Sequence, residues 1–128
     1  MHAFKKIAIT GKPQDAGTLE TVLHIAGHLL KRGMEVALDS AIVGNAPTPS
    51  GSRCLDSPAL VEGTDLVISV GGDGTLLHTA RLVVDHGIPL LGVNRGRLGF
   101  LVDLPPYDFD GLDAVLGGDF IEEDRILL

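Results

Sequence analysis

The sequence predicts an α/β fold, an open and mostly parallel sheet with helices on both faces. Three observations predict it. Short apolar runs alternate with longer amphipathic ones along the chain, which is the pattern of strands and their covering helices. One run, Leu66, Val67, Ile68 and Val70, is nearly continuous in apolar character, as a strand covered on both faces requires. The 17 glycines supply the sharp turns and close backbone approaches that such a fold needs at its strand ends.

Taken in order, Lys6–Thr10 reads as a first buried strand ending at Gly11-Lys12-Pro13. Residues 16–32 read as a helix, because Leu19, Val22, Leu23, Ala26, Leu29 and Leu30 recur at 3.6-residue spacing in one stripe. Gly33 follows as its C-cap, and Glu35–Leu38 is a short second strand. Residues 44–58 hold Gly44, Asn45, Pro47, Pro49, Ser50, Gly51 and Pro58, so this stretch reads as a loop. A helical turn is expected over Pro58–Glu62, a strand over Asp65–Val70, a helix from Thr75 to about Asp85, and a strand over Pro89–Val93. A glycine-rich turn spans Asn94–Gly99, and Phe109–Leu116 reads as a last helix stopped by Gly117-Gly118. The arrangement is Rossmann-like over residues 1–119. Residues 120–128 read as the start of a further domain, since Ile126-Leu127-Leu128 closes the sequence on apolar residues where natural edge strands carry charge, proline or cover.

Composition narrows the function. A length of 128 residues is one domain's worth, and a hydrophobic fraction of 45% is globular in character. The net charge of −7 argues against a general nucleic-acid or membrane-surface binder, which presents a basic face. It leaves open a small anionic ligand held by local Lys, Arg and backbone N–H groups. A single cysteine, Cys54, permits no intrachain disulfide and suits a reducing cytoplasm. The apolar run behind Lys5 and Lys6 is too short for a signal-peptide core, and no segment approaches the ~18 apolar residues of a membrane span.

Chemistry concentrates at Val70-Gly71-Gly72-Asp73-Gly74-Thr75, between a buried strand and a helix. Ligands of open α/β sheets bind at strand ends. A helix N-terminus placed there offers unpaired N–H groups and a positive dipole end to phosphate oxygens. Glycines clear side chains away from an approaching pyrophosphate and leave Asp73 as the functional side chain of the turn. The plain alternative is a tight turn in which Asp73 or Thr75 acts only as N-cap. Two other phosphate motifs are missing: the sequence has no G-x-x-x-x-G-K-[ST], and Leu77 stands where the dinucleotide fingerprint wants Gly or Ala.

Gly71-Gly72-Asp73-Gly74-Thr75 resembles the GGDGT signature shared by NAD kinases, diacylglycerol- and sphingosine-type lipid kinases and 6-phosphofructokinases. Asn94-Arg95-Gly96-Arg97-Leu98-Gly99-Phe100-Leu101 is similar to the N-x-G-x-L-G-F-L segment of NAD kinases, and Gly11-Lys12-Pro13 also fits that family. The resemblance covers essentially the whole chain. It implies ATP-dependent phosphorylation of the 2′-hydroxyl of the adenosine ribose in NAD, giving NADP, with Mg²⁺ assisting. By position it makes Asp73 the proton acceptor facing that hydroxyl, with Gly74, His78 and Phe100 contacting NAD. Gly11, Lys12, Pro13, Gly71, Gly72 and Thr75 would lie against the ATP and NAD phosphates. It further implies a homo-oligomer and an all-β second domain. Glu123-Asp124-Arg125 is similar to the pattern where that domain begins, so the chain is expected to be an inactive N-terminal part.

Other residues weigh less. Glu20, His24 and His28 recur at i, i+4, i+8 on the first helix, where metal ligation competes with a solvated polar face, and the latter is favoured. Arg95 and Arg97 are phosphate-binding candidates in a turn that suits solvated arginines equally. His2 and His86 carry no signal, and Cys54 is an idle thiol. Two other classes stay open beside the NAD kinase reading: a lipid or sugar kinase sharing GGDGT, and a non-catalytic nucleotide-binding module.

Overall fold

The computed structural model describes residues 4–94 and 109–116. Five strands, β1 (Lys6–Gly11), β2 (Glu35–Asp39), β3 (Arg53–Leu55), β4 (Leu66–Gly71) and β5 (Leu90–Asn94), form one sheet in the order β3-β2-β1-β4-β5. Every neighbouring pair is parallel. The helices are α1 (Ala16–Lys31), α2 (Ser40–Val43), α3 (Ser57–Val61), α4 (Asp73–Val83) and α5 (Phe109–Leu116), with a 3₁₀ turn, Val84–His86, following α4.

Alternation along the strands sorts the core into two layers. Ile7, Ile9, Val36, Leu38, Leu66, Ile68 and Val70 face α1, where Val22, Ile25, Ala26 and Leu29 meet them, and Leu112 of α5 joins the same layer. Ala8, Ala37, Val67 and Leu90 face the opposite way, against Leu60 and Val61 of α3 and Leu76, Ala80 and Val83 of α4. Each fully buried Ile or Leu in these layers stabilises the fold by about 1.5–3 kcal/mol relative to exposure. Strand β4 is buried along its whole length, which is why its sequence reads as a nearly continuous apolar run, interrupted only by Ser69.

The element ends have local causes. Asp15 caps α1, its Oδ1 accepting from the amides of Gly17 at 3.0 Å and Thr18 at 3.4 Å. Arg32 closes the helix as C-cap, one residue before the glycine expected there; its amide donates to the Leu29 carbonyl and the Gly33 amide to the Leu30 carbonyl, both at 3.0 Å. Just before β4, Asp65 accepts from the amides of Lys5 and Lys6, both at 2.9 Å, and so fastens the start of β1 beside β4. Those two backbone hydrogen bonds, Lys6 first, hold its carboxyl below the ordinary value.

The stretch expected as loop contains an element after all. Strand β3 lies within it, pairing Arg53, Cys54 and Leu55 with Ala37, Leu38 and Asp39. It is three residues long at the sheet edge with Arg53 and Cys54 exposed, so it shows no apolar run to read. Helix α2 was also unexpected; it is one turn, started by Asp39, whose Oδ1 accepts from the Ala41 amide at 2.9 Å. The helix expected from Thr75 begins two residues earlier, at Asp73. The expected terminal segment 120–128 lies outside the described residues.

Candidate functional site

The sheet order creates a crevice. Strands β2 and β3 extend to one side of β1, and β4 and β5 to the other. The chain leaving β1 enters α1 on one face, while the chain leaving β4 enters α4 on the opposite face. Between two connections that diverge in this way lies the switch point where open α/β sheets take ligands.

The two loops expected at the site meet there. The Lys12 amide donates to the Val70 carbonyl at 3.1 Å, and Gly11 stands in register with Val70. A β-carbon on Gly11 would come 2.6 Å from the Val70 carbonyl oxygen and 2.7 Å from Cγ2 of Thr18. Only glycine lets the two strand ends close so tightly. Lys12 and Pro13 are exposed. Gln14 follows with φ 58°, the left-handed region that non-glycine residues enter at a cost of about 1–2 kcal/mol.

On the other side, Gly71 pairs with Asn94 of β5 and Gly72 is the N-cap of α4, with no side-chain cap hydrogen bond. Neither expected capping role is therefore realised. Asp73 is the first residue of the helix, half-buried, and Thr75 sits one position beyond Gly74, packed back onto Gly71. A β-carbon at Gly72 or Gly74 would meet no atom of the described residues within 4 Å. Among the described residues nothing covers these two backbone positions at the positive end of an 11-residue helix, where a phosphate group could approach to contact distance. His78 is exposed one turn further on.

Phe100, Arg95 and Arg97 lie outside the described residues. Sequence reasoning missed Leu77, which is 39% exposed on the first turns of α4 and adds apolar surface beside Gly74 and His78. It also missed Asp39 and Thr10, a buried pair joined at 2.6 Å. The available signal for Asp39 was a carboxylate ending the apolar run Val36-Ala37-Leu38.

The helical triplet behaves otherwise than a metal grip. His24 Nδ1 contacts the Glu20 carbonyl at 2.9 Å. His28 turns to α5, with Nε2 2.8 Å from Oδ1 of Asp113 and its ring stacked on Phe109 at 4.6 Å. The solvated-face expectation therefore fails for His28, which is half-buried under α5. Among the described residues no three His, Cys, Asp or Glu side chains gather as a metal site.

Residues 7–120 match the family model described as the ATP-NAD kinase N-terminal domain. The chain belongs to the ATP-NAD kinase family. It is 38% identical to the NAD kinase of Chromobacterium violaceum over 126 residues, covering 98% of this chain and 43% of that protein. It is 41% identical to the NAD kinase of Coxiella burnetii over 128 residues, covering 98% of this chain and 42% of that protein. The chain thus spans less than half the length of these family members. Among solved structures, yeast NADH kinase complexed with NADH shares the fold at a TM-score of 0.74 and 22% identity, over 91% of this chain and 39% of that one. No helix of the described residues is long and apolar enough to cross a membrane.

Proposed function

We propose that this chain supplies the nucleotide-binding part of an NAD kinase, which transfers the γ-phosphoryl group of ATP to the 2′-hydroxyl of the adenosine ribose of NAD. One observation carries the reading. The Lys12–Val70 hydrogen bond holds Gly11-Lys12-Pro13 against Gly71-Gly72-Asp73-Gly74 at the switch point, in a chain of the ATP-NAD kinase family.

In this reading Asp73 orients the 2′-hydroxyl and accepts its proton. The loose transition state of phosphoryl transfer needs little proton loss before the phosphorus–oxygen bond forms, so a carboxylate that accepts late is sufficient. The backbone of Gly74 and the side chains of His78 and Phe100 contact NAD. Gly11, Lys12, Pro13, Gly71 and Gly72 line the phosphates, and Thr75, packed on Gly71, holds their turn in shape. Mg²⁺ bound with ATP would neutralise charge on the transferring phosphates. Residues 1–119 form the α/β domain of this enzyme and 120–128 lead toward the second, which completes the pocket. The complete enzyme is a homo-oligomer of the cytoplasm.

The test is a paired assay of ATP-dependent NADP formation. One sample is this chain alone; the other is this chain joined to the C-terminal remainder of the Chromobacterium violaceum relative. Turnover by the joined protein only is the expected result. Turnover by neither, with phosphorylation of a lipid or sugar hydroxyl instead, would overturn the reading. Turnover by the chain alone would overturn the proposed need for a second domain.

A further inference from the structure

Beneath the two glycine loops runs a row of polar side chains that the proposed reaction does not use. Ile9 pairs with Leu38 and Thr10 pairs with Ser69, so Asp39, Thr10 and Ser69 sit at one level on three adjacent strands. Alternation places all three on the side of the sheet that Ala8, Ala37 and Val67 share with α3 and α4. They are 5%, 5% and 2% exposed, which is unusual for a carboxylate and two hydroxyls within an apolar layer.

Each is bonded in a way that reaches a loop. Thr10 donates to Oδ2 of Asp39 at 2.6 Å, while Oδ1 of the same carboxylate accepts from Ala41. The residue after Thr10 is Gly11, at the start of the Lys12 loop. Ser69 lies 2.9 Å from the hydroxyl of Thr79 in α4, and Thr79 in turn donates to the Thr75 carbonyl at 3.0 Å. Thr75 closes the glycine turn, and Ser69 stands two residues before it. One pair therefore fixes the exit of β1 and the other fixes the angle between β4 and the N-terminus of α4.

We propose that Thr10–Asp39 and Ser69–Thr79 are two halves of a buried polar brace whose role is to position the Gly11–Pro13 loop and the Gly71–Thr75 turn for the nucleotide's phosphates. Apolar contacts alone would hold the strands together but leave the helix free to settle over a range of small shifts. Directional hydrogen bonds in a dry layer select one arrangement. Asp39 and Thr79 are positioning residues in this scheme, acting through the loops; the ligand consequence rests on the nucleotide-site reading above.

The experiment measures amide hydrogen exchange in this chain, with Thr10→Val, Asp39→Asn, Thr79→Val and Thr79→Ser, and ATP–Mg²⁺ affinity by calorimetry on the same samples. Three amides report: Lys12 on the first loop, Leu76, bonded to the Gly72 carbonyl, on the turn, and Val67, bonded to the Pro89 carbonyl, on the sheet. Thr10→Val should raise exchange at Lys12 roughly tenfold or more, the scale of a lost charge-assisted hydrogen bond, and leave Val67 alone. Thr79→Val should do the same at Leu76. Asp39→Asn keeps a neutral bond to Thr10 with donor and acceptor reversed, and Thr79→Ser keeps its hydroxyl, so the first should retain part of the protection and the second most of it. Unchanged exchange at both loops would overturn the brace. So would a rise at Val67 equal to that at the loops, which marks a general loss of stability. ATP affinity should fall with loop protection. If the unaltered chain fails to bind ATP, the nucleotide-site reading falls, while the exchange data still decide the brace.

Discussion

Gly71 is packed so closely on Thr75 that a β-carbon at Gly71 would stand 2.8 Å from both Cβ and Oγ1 of that residue. The helix that starts at Asp73 thus folds back on the strand that leads into it, and the contact fixes where Asp73 stands. Gly72 and Gly74, one position to either side of Asp73, meet no described residue where Gly71 has contact.

The glycines of one motif should therefore separate into two behaviours. Gly71→Ala is expected to destabilise the chain by about 1–3 kcal/mol, the usual cost of overpacking, seen as a lower Tm. Gly74→Ala lies within α4 and should leave Tm unchanged or slightly raised, while weakening ATP or NAD binding by obstructing the backbone. Equal loss of stability in both variants would contradict this division.

Asp73→Asn tests the chemical role. In the protein joined to a relative's second domain, kcat should fall by about 10²–10⁴, the range for removing a positioned proton acceptor. NAD affinity should change far less, because Asn preserves size and one acceptor oxygen. An equal fall in both would make Asp73 a binding residue only.

Thr18 and Thr21 offer a stability test away from the loops. Both are fully buried in α1, and neither Oγ1 has a hydrogen-bond partner among the described residues. A buried hydroxyl without a partner costs about 1–3 kcal/mol, and valine matches threonine in shape. Thr21→Val, and Thr18→Val beside Gly11, should each raise Tm by a few degrees. A fall would show that the hydroxyls have partners in solution.

Asp65 predicts a pH dependence. Its folded carboxyl lies below the ordinary value, chiefly through the Lys6 and Lys5 amides. A depressed value means that ionised Asp65 contributes stability above the unfolded-state value and loses it as pH falls through the folded one. Asp65→Asn should thus be less stable than the parent at pH 7, and the gap should narrow as pH drops below about 4. The group is exposed, so the effect is modest. A gap that stays constant from pH 7 to pH 3 would assign the stabilisation to shape alone.

Much of the architecture was legible because it rests on local repetition. The stripe in α1 follows from the 3.6-residue period and the apolar run of β4 from burial on both faces, and any reader of the residues recovers them. The glycine turn was legible as a strand-to-helix junction because glycines and an aspartate directly follow the apolar run of β4. Strand β3 was illegible: at three residues on an edge it exists through pairing with β2, and nothing in Arg53-Cys54-Leu55 announces a partner. His28 was misread for the same reason, since the helix that covers it, with Phe109 and Asp113, lies more than 80 residues away.

By itself, then, the sequence determined most of the elements, the two glycine loops and the resemblance to a family. Tertiary structure decided which parts touch. It set the strand order that opens a crevice between β1 and β4, bonded Lys12 to Val70 across that crevice, and buried Asp39 against Thr10. Periodicity is a property of neighbours along the chain, whereas hydrogen bonds between distant segments depend on how the layers stack, and stacking is settled by the burial of both apolar faces at once.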